Sequence, residues 1–178
     1  VQNADRFTNV LVHLGNTTAA TEREILKMAA RIGQASAQFK LTSTAILGMS
    51  AAAAQLDFRP ELFGTGMGRL FKELNDAALN ASEGMYRLTK ATGVTREEFL
   101  KMLETRPENA MLVFLQVLKE MRENGQSLTT FLESFNIRGV EMLSILGAAA
   151  SNLDLFRQKL VEAYREQEQG TARSREYK

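Results

Sequence analysis

The groups that could carry chemistry are few. One histidine, His13, stands in a chain of 178 residues that has no cysteine. That removes disulfides, thiolate nucleophiles, zinc sites of the Cys/His type and any Ser-His-Asp triad not built on His13 itself. His13 lies among Leu11, Val12 and Leu14 and reads as a helix-face residue rather than a ligand. Carboxylates are plentiful, but Glu22/Glu24, Glu97/Glu98 and Glu120/Glu123 fall in helix first turns or on polar faces, where they cap and solvate. Nothing marks a pair of carboxyls held across a cleft as glycoside hydrolysis requires. Gly64-Thr65-Gly66-Met67-Gly68 lacks the GxGxxG spacing, the Lys-Ser/Thr of a phosphate loop and a preceding strand, so it reads as a close helix contact. The residue set predicts no enzyme, no cofactor and no metal.

Charge adds no partner of its own. Lys plus Arg number 22 against 21 Asp plus Glu, a net charge of +1, which exerts no general pull toward nucleic acid or an anionic membrane. Near the C-terminus Arg157, Lys159, Arg165, Arg173, Arg175 and Lys178 alternate with Glu162, Glu166, Glu168 and Glu176, the mixture of a solvated helix flank. Sequence-specific nucleic-acid binding is not expected. The longest uncharged stretch, Leu41 to Leu56, carries Thr42, Ser43, Thr44, Ser50 and Gln55 and is too short for a bilayer core of ~30 Å, so it predicts a buried helix and no membrane contact. Val1 to Leu14 carries Asp5 and Arg6 and does not read as a signal peptide. With Val at the first position, the chain reads as a piece of something longer.

Only helices are left to position these residues. No alternating strand pattern is bounded by turn residues, and two Pro against eight Met and ten Phe suit helices with repackable faces. The expectation is an all-α compact bundle of about eight helices with a long C-terminal helix. A first helix covers about Asn3 to Leu14 and ends at Gly15-Asn16. Thr21 with Glu24 and Thr95 with Glu98 form capping boxes, one helix-start solution used twice. Thr42 caps the uncharged helix, Pro60 and Pro107 open two others, and Gly93 and Asn124-Gly125 are stops.

The last element, about 137–170, has Met142, Leu146, Ala149, Leu153, Phe156, Leu160 and Ala163 at alternating spacings of four and three, the seam of a coiled coil. One continuous helix over that span would be roughly 48 Å long, longer than the body expected of this chain, so it must project, kink or find a partner helix. Met142, Leu146, Leu153, Phe156 and Leu160 are therefore expected to form a self-association seam. The expected division is a helical core body over 1–136, the amphipathic helix over 137–170 and a polar tail or linker over 171–178.

Several segments, taken in order, resemble the core region of the phage tail tape measure protein family. They are Leu14-Gly-Asn-Thr-Thr-Ala-Ala-Thr-Glu-Arg-Glu-Ile25, Leu41-Thr-Ser-Thr-Ala-Ile46, Gly64-Thr-Gly66 with Arg69, Ala91-Thr-Gly-Val-Thr-Arg-Glu-Glu-Phe99, Ala110 to Leu118 and Phe135-Asn-Ile-Arg-Gly-Val140. The resemblance spans about Phe7 to Tyr177, without the long downstream helical regions and hydrophobic segments of fuller members. It implies a virion structural role: a protein of the tail lumen, present in the host cytoplasm during assembly, whose length sets tail length and which leaves ahead of the DNA at ejection. The implied partners are further copies of the chain, tail tube proteins and assembly chaperones. The family has no catalytic residues to carry over. The alternative is a cellular all-helical adaptor that binds a partner helix.

Overall fold

The computed structural model describes residues 2–170. Among them are ten helices and no strand: α1 (Gln2–Thr17), α2 (Glu22–Ala35), α3 (Ser43–Gln55), α4 (Pro60–Leu79), α5 (Glu83–Thr92), α6 (Arg96–Thr105), α7 (Pro107–Glu123), α8 (Leu128–Glu133), α9 (Val140–Ser151) and α10 (Leu153–Gln169). The all-α expectation holds. The chain forms two units, the first from residues 2–35, 41–65 and 154–170, the second from 36–40 and 66–153.

Local signals account for most helix starts. The Thr21 N–H donates to Glu24 Oε2 at 2.7 Å while the Glu24 N–H donates back to Thr21 Oγ1, and Thr95 with Glu98 repeats the arrangement. Thr42 Oγ1 accepts the Ala45 N–H at 3.1 Å, Pro60 and Pro107 each open their helix, and Gly93 ends α5 in the left-handed conformation at φ 74°.

In the first unit, Val10, Leu11 and Leu14 of α1 pack with Ile25 of α2, Leu47 and Ala51 of α3 and Ala163 of α10. α3 is buried on nearly every side, and its small residues let backbones approach. A Cβ added to Gly48 would stand 3.0 Å from Leu160 Cα. α1 does not stop at Gly15 as expected but continues to Thr17. Gly15 instead makes room for the first turn of α2, since a Cβ there would meet Glu22 Cγ at 2.5 Å. The end of α1 is supplied by Thr18, whose hydroxyl donates to the Leu14 carbonyl.

The second unit is centred on three rings. Phe114 of α7 lies 5.7 Å from Phe131 and 5.1 Å, edge-on, from Phe135, and Phe131 lies 5.2 Å from Phe135. Gly84 lets α5 approach that cluster, because a Cβ there would stand 2.6 Å from the Ser134 carbonyl. The turn from α8 to α9 holds Asn136 at φ 58° and Gly139 at φ 102°. The Arg69 guanidinium of α4 donates to the carbonyls of Asn136 and Arg138 at 3.1 and 3.2 Å, so a strained turn is pinned from outside.

The span 137–170, expected as a long helix that would project, kink or find a partner, is two helices parted at Asn152. This residue has φ −115° and ψ 28°, its N–H reaches the Ala148 and Ala149 carbonyls, and its side-chain amide donates to the Ala148 carbonyl at 2.8 Å. The Asn152 side chain thus shares the Ala148 carbonyl with its own N–H, a local side-chain-to-backbone bond of the kind that favours helix ends over helix interiors, and the helix breaks there. The expected tail, 171–178, lies outside the described residues.

Candidate functional site

The expected self-association seam is not a free face. Met142 and Leu146 lie on α9, Leu153, Phe156 and Leu160 on α10, and all five are buried. In the second unit Met142 Sδ stands 3.4 Å from where a Gly66 side chain would begin, and in the first Phe156 stacks on Phe63 with centroids 6.0 Å apart. Leu160 packs on Gly48. The four-three spacing is that of any helix whose apolar stripe faces a core, and here the chain covers the stripe with its own residues.

A polar cluster in the first unit escaped the sequence reading. Lys159 of α10 is 1% exposed, and its ammonium donates to the Thr17 carbonyl at 2.8 Å and to Glu162 Oε2 at 3.0 Å. Thr17 Oγ1 donates to the same carboxylate oxygen at 2.9 Å, and Gln158 Nε2 to Glu162 Oε1 at 2.8 Å. Burial works to raise the Glu162 pKa, but these hydrogen bonds from Gln158, Lys159 and Thr17 outweigh it and hold the carboxyl below its ordinary value. His13, half-buried on α1, presents Nε2 to Glu162 Oε2 and Nδ1 to Glu166 Oε2, each at 3.7 Å.

Arg165 and Gln169 complete a cleft of about 420 Å³ over these residues. Its chemistry is that of a fastener. The Lys159 ammonium spends its protons on Thr17 and Glu162 and is no free amine, and no group of three His, Asp or Glu among the described residues is arranged to hold a metal ion. A signal for the cluster exists in the sequence. Lys159 and Glu166 sit three residues after Phe156 and Ala163, inside the apolar stripe of α10, where a charge requires a partner.

The other quoted residues are structural. Gly64 faces Arg31 in the first unit, where an added Cβ would lie 2.7 Å from Arg31 Cβ and 2.8 Å from its carbonyl carbon. A separate apolar hollow of about 210 Å³ lies in the second unit between α8 and α9, lined by Leu132, Ile137, Val140 and Leu143, with Val140 83% exposed. Among the described residues no helix is long and apolar enough to cross a membrane.

No protein-family model, no curated protein and no solved structure matches the chain.

Proposed function

We propose that this chain is a structural part of a phage or prophage tail tape measure protein, acting in tail assembly, tail length determination and genome ejection. The observation that carries the reading is the ordered set of sequence segments resembling that family's core region. The places those segments occupy favour a mechanical role. Thr21 with Glu24, Thr42, and Thr95 with Glu98 open helices, Gly64 and Gly66 sit at close contacts, and Arg69 ties its segment to the one holding Asn136 and Arg138. The residues behind the resemblance are joints of a fold, and a part under assembly load depends on joints more than on reactive groups.

Mass spectrometry of tails purified from the source bacterium after prophage induction is the direct test. Peptides of this chain in intact tails, lost from tail-less particles, are the expected result; recovery from the cell fraction alone overturns the proposal. The hollow beside Val140 favours the second reading, a cellular adaptor for a partner helix, which that cell-fraction result would support.

A further inference from the structure

α1 and α10 run antiparallel within the first unit, and the contacts between them follow a ladder. Gly170 lies beside Asn9, whose Nδ2 is 3.5 Å from the place of an added Cβ. Glu166 faces His13, Glu162 faces His13 and Thr17, and Lys159 reaches Thr17. As the number falls by about one turn on α10, it rises by about one turn on α1. The start of α1 and the end of α10 therefore lie at the same edge of the pair, and Lys159 with Thr17 lies at the opposite edge.

From this geometry we infer that α1 and α10 form a latch that opens from the chain ends inward, with the buried Lys159–Thr17–Glu162 contact as its last catch. The inference rests on chain topology and goes beyond the proposed function. Tension applied between the two ends enters the first unit through α1 and α10. In an antiparallel pair loaded at one edge, contacts break one turn at a time instead of shearing together. Tyr164 and Gln167 also join α10 to Thr42 and Thr44 near its outer end, so those bonds are released early. Residues 66–153 enter and leave the first unit at Thr65 and Asp154, and while the latch holds, tension passes from α10 to α1 without crossing them. The short segment 36–40 is kept with the second unit by Phe39, whose ring lies 5.6 Å from Phe71. The chain accordingly yields in a set order, first unit before second.

Single-molecule extension of the full chain, with handles at its two ends, tests this. Two events are expected, the later one releasing the ~400 Å of extended backbone that residues 36–153 provide, since 36–40 stays with the second unit until it opens. Lys159→Met keeps the buried stem and removes the ammonium, and it should move the first event to lower force while leaving the second in place. A single event, the long release coming first, or a Lys159→Met first event at wild-type force would each overturn the inference. Should that variant fail to fold, the order of events in the wild type still decides.

Discussion

α7 and α10 are both seventeen residues long, one in each unit but for Leu153, yet their buried faces differ. α7 turns inward Ala110, Met111, Phe114, Leu115 and Leu118, and Phe114 meets Phe131 and Phe135. α10 turns inward Phe156, Leu160 and Ala163 but places Lys159 and Glu166 in the same stripe. Apolar burial stabilises without direction, and a ring can slide or tilt at little cost. A buried ammonium must meet an acceptor at one position, so Lys159 sets the register of α10 on α1 while adding little net stability. α7 buries a charge only in its first turn, at Glu108, whereas α10 carries two within its apolar stripe.

The largest test of this difference removes a ring. Phe114→Ala should cost about 3–5 kcal/mol, because the space among Phe131 and Phe135 cannot collapse fully. Chemical denaturation would give the loss, and hydrogen exchange should place it in α7, α8 and α9; equal loss in α10 amides would break the distinction. Lys159→Ala comes next, at about 2 kcal/mol, since it strands the Thr17 carbonyl and leaves Glu162 without its cation. Its signature is faster exchange in α1 and α10, and Lys159→Met, which keeps the stem in place, should be milder.

Close approaches come third. Gly84→Ala in the second unit and Gly64→Ala in the first should each cost about 1–3 kcal/mol, as the added methyl meets backbone atoms in both cases. A neutral outcome at either would mean that the neighbouring chain moves aside. Thr21→Ala and Thr95→Ala should cost about 1 kcal/mol apiece and alike, because the capping box is the same local device in both units. An unequal pair would show that surroundings, and not the cap, set the value.

Acid offers the smallest and most selective probe. The Glu162 carboxyl titrates below its ordinary value in the folded chain, so its contribution is present above the unfolded value and is lost as pH falls through the folded one. Backbone and side-chain hydrogen bonds from Thr21 and Thr95 lower Glu24 and Glu98 in the same direction, one in each unit. Acidification below about pH 4 should thus loosen both units through their caps, with a further loss in α10 that Glu162→Gln removes. Exchange rates in α10 that follow pH identically in wild type and Glu162→Gln would contradict this role.

Much of this architecture was legible where the cause is local. A Thr three residues before a Glu, a Pro in a first turn and a Gly after a last turn act within one turn of backbone, and the helices begin at Thr21, Thr95, Pro60 and Pro107 much as those signals imply. The errors came where one pattern has two tertiary outcomes. Met142, Leu146, Leu153, Phe156 and Leu160 have the spacing of a coiled-coil seam and also of a core stripe, and the chain buries them itself. At Asn152 the break involves a side-chain amide that meets the Ala148 carbonyl, which apolar spacing does not show. Gly15 looked like a stop and is a point of close approach to Glu22.

The order of residues settled that this protein is helical, where most of its helices start, and that its charges nearly cancel, because propensity, capping and composition act over short distances. Tertiary structure alone decided that His13 and Thr17 on the first helix would meet Lys159, Glu162 and Glu166 on the last. Residues so far apart in sequence are brought together only when the apolar faces between them have packed, and no spacing along the chain records that meeting.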